Sequence, residues 1–190
     1  KLGHEHPDVA ASYNNMANVH HSQGKYDEAL EYHQKSLSIR LTIHGDKHLD
    51  VAKTQENMAI IYQQQGQYQK ALEIYESVLA TKIRVCGEDH LDVATSYLNI
   101  GTVYDSQGRY NEALQEYEKC LKIRVDKLGH EHLDVANSYM GIGNVYHSQG
   151  RYNEALQEYK KCLKIQVDKL GHDHRCSWPS FSTWIFRHFS

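Results

Sequence analysis

Apolar and polar positions in this chain alternate on two linked periods. From Asp92 to Gly108, DVATSYLNIGTVYDSQG, the residues Val93, Tyr97, Ile100, Val103 and Tyr104 return at helical spacing. Gly108 then supplies a residue suited to the left-handed conformation that ends a helix. The next stretch, RYNEALQEYEKCLKIRV, places Tyr110, Ala113, Leu114, Tyr117, Cys120, Leu121 and Val125 on one stripe of a second helix. Asn111, with Asp27 and Asn153 at the same place elsewhere, is expected to cap its N-terminus. So short a turn predicts two helices packed antiparallel.

This pair of helices recurs. Glycines fall at 3, 45, 87, 129 and 171, a step of 42, and again at 24, 66, 108 and 150. His6, His48, His90, His132 and His174 keep the same step. So do Asp8, Asp50, Asp92 and Asp134, each followed by Val-Ala. Such self-similarity marks a stacked repeat array. The units are expected at 8–47, 48–89, 90–131 and 132–174, after an inter-repeat linker at 1–7. The pattern is already under way at Lys1, so the chain is expected to be an excerpt of a longer array.

The first helix of unit three offers Tyr97, Ile100, Gly101 and Tyr104, and the second Ala113 and Tyr117. The other units offer Tyr13-Met16-Ala17-His20, Gln55-Met58-Ala59-Tyr62 and Tyr139-Ile142-Gly143-Tyr146, with Ala29, Ala71 and Ala155 in their second helices. This resembles the tetratricopeptide repeat, in which small residues let helices approach and large rings fill the gaps beside them. Gln55, His20 and His33 depart from the pattern and predict looser packing in units one and two. The usual unit has about 34 residues. The 42-residue unit here, with LG-x-x-H-x-DVA at its boundary, is similar to the repeats of kinesin light chains over residues 1–174. The resemblance implies an all-α, right-handed superhelical solenoid of helix-turn-helix repeats. It also implies cargo or adaptor binding, with the kinesin heavy chain engaged through regions absent from these residues.

Composition narrows the partners. A net charge of -3 and a pI near 6.5 give no basic footprint for nucleic acid. No apolar run is long enough for a membrane helix, and no signal peptide is visible. Cys86, Cys120, Cys162 and Cys176 form no C-x-x-C pair, which points to free thiols in a reducing, cytoplasmic setting. Cys120 and Cys162 share a slot with Ser36 and Val78 and are expected to be inert fillers. All three phenylalanines and both tryptophans lie in the divergent stretch 175–190, which is expected either to cap the solenoid end or to stay disordered.

Fourteen histidines, some in the His-x-His pairs of KLGHEH at 1–6 and 127–132, raise the question of metal binding. The periodic histidine stands just before each first helix, where a polar group can cap free N–H groups, and the aspartate two places on faces the positive helix end. The other histidine of the pair is not periodic, since Asp46 and Glu88 replace it. A single such loop falls short of a closed zinc site. No metal and no cofactor is expected. No nucleophile elbow, phosphate loop or H-E-x-x-H helix is present, so the chain is not expected to be an enzyme.

One surface is left unexplained by packing. In a stacked array the first helices line the concave side. Helical spacing places Asn14, Asn15, Asn18, Asn57, Ile60, Leu98, Asn99, Thr102, Met140 and Asn144 on it, together with Lys53, Glu56, Asp105 and His147. Asn15, Asn57 and Asn99 form a ladder that Gly141 breaks. Asparagine is a poor helix-interior residue, so something other than propensity places it there. Two roles are open. A carboxamide can donate to and accept from one peptide unit, which suits an extended, unstructured segment of a partner protein. The same amides can instead bridge to the adjacent repeat, leaving the segment a structural spacer of a larger scaffold or signalling protein. The resemblance to kinesin light chains implies the first role for Asn15, Asn57 and Asn99.

Overall fold

A computed structural model describes residues 6–170. Eight helices follow one another: α1 (Pro7–Ser22), α2 (Tyr26–His44), α3 (Leu49–Gln64), α4 (Tyr68–Cys86), α5 (Leu91–Ser106), α6 (Tyr110–Leu128), α7 (Leu133–Ser148) and α8 (Tyr152–Leu170). No strand occurs among the described residues. The expectations for Lys1–Glu5 and for 175–190 lie outside them.

Each helix starts and stops for a local reason. The periodic histidine is the N-cap of every first helix. His6, His48, His90 and His132 accept the N–H of Asp8, Asp50, Asp92 and Asp134 at their Nδ1 atoms, at 3.2, 3.2, 3.1 and 3.1 Å. Punctuation is therefore the observed role of these four side chains. The first helices end in a left-handed glycine. Gly108 has φ +73°, its N–H reaches Asp105 O at 2.9 Å, and Arg109 N–H reaches Tyr104 O at 2.8 Å, closing a Schellman motif. Helices α2, α4 and α6 end at the other glycine series, where Gly129 has φ 80° and ψ 162°, a region open essentially to glycine alone.

The expected cap at Asn111 is not observed. Helix α6 begins a residue earlier, with Arg109 at the N-cap and no side-chain cap bond. The Schellman turn feeds straight into the helix, so Asn111, Asp27 and Asn153 fall inside the first turn. Asp27 instead accepts from Gln65 Nε2 of the next unit at 3.2 Å.

The core runs along the stack as clusters that each join one unit to the next. Ala59, Ala71, Leu72 and Tyr75 of unit two pack with Ile100 and Val103 of α5, and Ala113 and Tyr117 with Ile142 and Val145 of α7. The small residues do what the pattern predicts. A Cβ placed on Gly101 would lie 3.0 Å from the Tyr117 ring and 3.3 Å from Ala113 O. Ser36, Val78, Cys120 and Cys162 occupy one buried slot, and burial raises the pKa of both thiols, which keeps them protonated fillers. The expected looser packing is not seen in unit two, and the low burial of α1 reflects its place as the first described helix, with no described helix before it. Helix α3 buries Val51, Ala52, Thr54, Met58, Ala59 and Ile61, whereas α1 buries only Ala10 and Ala17. Gln55 sits half-buried at the helix margin, so its polarity does not disturb the seam in unit two.

Candidate functional site

The stacking brings the first helices side by side. Asn57 Nδ2 on α3 donates to Asn14 Oδ1 on α1 at 3.2 Å, and Asn99 Nδ2 on α5 donates to Glu56 Oε1 on α3 at 3.1 Å. One repeat further on, the same two positions hold Gly141 and Leu98, and the clasp becomes apolar: Gly141 lies against the Tyr117 ring, and Leu98 packs into the cluster around Tyr117. The asparagine ladder is thus in part an inter-repeat clasp. Each of these amides spends one N–H on the neighbouring helix. A carboxamide has two N–H groups and a carbonyl, so one N–H and the carbonyl of each remain outside these clasps.

The other predicted residues divide by burial. Asn15, Asn18, Thr102 and Asn144 are exposed, and Asn14, Asn57, Ile60, Leu98, Asn99 and Met140 are half-buried. Thr102 Oγ1 donates to Leu98 O at 2.9 Å and lies 3.1 Å from Tyr117 Oη. Asn144 Oδ1 accepts from Tyr159 Oη at 2.8 Å. Leu98 and Met140 pack partly into the core clusters, so each offers the face only part of its side chain. Burial pushes the Tyr117 hydroxyl up to about 12 and raises the Asp105 carboxyl, so the wall of units three and four carries little fixed charge beyond Asp105.

Glu56 does not stand in the groove as the sequence suggests. It is 3% exposed, and its oxygens accept from Lys82 Nζ at 2.9 Å, Asn99 Nδ2 at 3.1 Å and Lys53 Nζ at 3.3 Å. Lys82 lies on a second helix, outside the inner face that the first helices line. The signal was nevertheless present. Position 82 holds lysine where units one and three hold Arg40 and Arg124, and position 56 holds an acid where Asn14, Leu98 and Met140 stand. Two exceptions in one unit mark a pair. The arginines do something else: Arg40 Nη1 donates to Asp50 O and Thr54 Oγ1, and Arg124 Nη1 to Asp134 O and Ser138 Oγ, tying each second helix to the next unit.

Unit one carries a second group that the sequence flagged only as a departure. His33 takes the place of Tyr75, Tyr117 and Tyr159 and is 1% exposed. Its Nδ1 has no hydrogen-bond partner among the described residues, and neither has the buried Nδ1 of His20. Burial lowers the His33 pKa to about 4, with help from His21 and Arg40, so the ring is neutral near pH 7.

A stack of antiparallel helix pairs, clasped first helix to first helix around a polar inner face, defines a helical-repeat solenoid. The chain belongs to the tetratricopeptide repeat family, whose model matches residues 8–83, 50–126 and 106–168. Among solved structures, BtubC (BKLC) from P. vanneervenii superposes with a TM-score of 0.78 at 24% identity, over 92% of this chain and 70% of that one. A kinesin light chain-type protein of Podosopora anserina with nearly identical TPR-like repeats gives 0.73 at 25% identity, over 93% and 82%. The apo form of RapI gives 0.72 at 22%, over 86% of this chain and 57% of that one. The similarity to BtubC and RapI concerns the fold alone. No curated protein matches the sequence. The repeats are of the kinesin light chain-like type, in a family of interaction scaffolds. No helix of the described residues is long and apolar enough to cross a membrane.

Proposed function

We propose that this segment is a non-enzymatic scaffold whose inner face holds an extended, unstructured peptide segment of a partner protein, as a cargo or adaptor module of the kinesin light chain-like type. One observation carries the reading. Unpaired amide capacity runs along successive first helices at one position per repeat, in Asn15, Asn57 and Asn99. Asn18, Thr102 and Asn144 flank it, and Ile60, Leu98 and Met140 add limited apolar surface. An extended strand repeats its own donors and acceptors along its length, and such a row of amides can follow it. The Cys86, Cys120 and Cys162 thiols are free, which suits a cytoplasmic protein. Engagement of a kinesin heavy chain would run through regions outside these residues.

A second reading has its own support. Asn57 and Asn99 each give an N–H to the neighbouring repeat, and a structural spacer needs nothing more from them. A peptide-array screen of the wild type and of Asn57→Ala/Asn99→Ala separates the two. Scaffold function predicts binders in the wild type that weaken by about fivefold or more in the variant, as expected for two lost hydrogen bonds of about 0.5–1.5 kcal/mol each. Binders retained at unchanged affinity, with helicity intact, would leave the ladder a clasp alone.

A further inference from the structure

The turn between α4 and α5 gathers ligands that neither the groove nor the core uses. Cys86 ends α4, and His90 and Asp92 open α5. The Cys86 Sγ, a His90 ring nitrogen and an Asp92 carboxylate oxygen all lie within 4.8 Å of one another. His90 Nδ1 is 3.5 Å from Asp92 Oδ2. Cys86 and His90 border an open hollow of about 560 Å³ lined also by Gly87, Glu88, Asp89, Leu91 and Lys127. The His-x-His spacing points to the residue two places before the cap, which is Glu88 in this unit. The helix instead returns the residue four places before it.

We propose that this corner binds a zinc-class divalent cation through Cys86 Sγ, His90 Nδ1 and Asp92. In tetrahedral zinc, bonds of about 2.0–2.3 Å put neighbouring ligands about 3.3–3.8 Å apart. The spacing found here closes to that range by side-chain rotation in an exposed turn. Cys86 gives its thiol proton to solvent on binding. The fourth position falls to water or to the carboxylate of Glu88 or Asp89. Those two acids and Asp92 also offset the positive end of α5, which by itself repels a cation. Ligation takes the Nδ1 lone pair that now accepts Asp92 N–H at 3.1 Å, so binding competes with the helix cap and is weaker than at a closed four-ligand site.

The repeat supplies its own controls. At the α2–α3 corner the same positions hold His44, His48 and Asp50. The two rings there are stacked, with centroids 4.1 Å apart and planes at 10°. A ring nitrogen of each lies 3.6 Å from Asp50 Oδ2, so this trio can also reach a cation, but it has no thiol and gives no sulfur charge-transfer band. At the α6–α7 corner Leu128 replaces the thiol, and the His132–Asp134 cap stands alone. Cys86 is also unlike the other described cysteines. It is half-buried at a helix end, whereas Cys120 and Cys162 fill the core slot.

The test is a cobalt(II) titration of the whole chain, followed in the ultraviolet and visible. The wild type is expected to show a sulfur-to-cobalt charge-transfer band and tetrahedral d–d absorption, both bleached by zinc. Cys86→Ser should abolish the charge-transfer band. His90→Ala should weaken cobalt binding by at least tenfold. His132→Ala removes the same cap where no thiol stands and should leave the titration unchanged. Zinc should raise the melting temperature of the wild type more than that of Cys86→Ser, which keeps the His44–His48–Asp50 trio. A band that survives Cys86→Ser, or a wild type with neither band nor zinc-dependent melting shift, overturns the proposal. Neither result bears on peptide binding at the inner face.

Discussion

His33 shows what a single exception to the repeat costs. A tyrosine in that slot can bond across the inner face, as Tyr117 does with Thr102 and Tyr159 with Asn144, whereas His33 leaves Nδ1 buried and unpaired. The sign of its pH effect follows from linkage. Its folded pKa, about 4, lies below the ordinary 6.5, so the unfolded chain takes up a proton that the folded chain refuses. The stabilising difference is complete above about pH 6.5 and is lost as pH falls toward 4, by at most about 3 kcal/mol for this one group. His33→Tyr is expected to raise the melting temperature at neutral pH and to flatten its decline between pH 6.5 and 4. Tyr75 occupies the same repeat position in unit two, in a core cluster with Ala59, so the repeat accepts a tyrosine there. Chemical denaturation of both proteins across that pH window checks it, and parallel curves would show that His33 is not the titrating group.

At the scale of elements, the helix pairs are held by crossings and clasps of different tolerance. Ala113 is fully buried where α6 meets Gly101 of α5, so Ala113→Phe should destabilise by about 1–3 kcal/mol through overpacking, measured by urea unfolding. The Glu56–Lys82 pair is expected to be costly to break and cheap to replace. Lys82→Met leaves a buried carboxylate short of its closest cation and should cost about 3–5 kcal/mol. Glu56→Leu/Lys82→Met should recover most of that loss, because Leu98 already fills the same place in unit three. A double variant as unstable as Lys82→Met would mean that the pair does more than neutralise itself. These elements were legible to different degrees. Periodicity located all eight described helices, and α1 to α7 each end at a glycine of the two series. The histidine caps were legible because they recur. The start of α6 was not, because a Schellman turn can pass into a helix without a side-chain cap. The Glu56–Lys82 pair and the Cys86 corner were not either, because each joins residues from two helices and occurs once.

For the whole molecule, the 42-residue step turns local regularity into one continuous inner face. A solenoid contacts only its neighbours, so stability is spread along the chain and the face is free to vary unit by unit. That freedom is visible in the clasp positions, which read Asn14 with Asn57, Glu56 with Asn99, and Leu98 with Gly141. The location of the face was predictable from the repeat. The division of each amide between neighbour and ligand was not, because spacing along a helix does not reveal what the next helix offers. The central claim is that the N–H and carbonyl groups these amides leave outside the clasp meet a peptide. It is tested most directly by following the side-chain NH2 resonances of Asn15, Asn57 and Asn99 by NMR during titration with a peptide selected on the array. Shifts of all three, saturating together with those of the α1, α3 and α5 backbones while second-helix signals hold still, are the predicted result. Saturable binding that leaves the three carboxamides unmoved would contradict it.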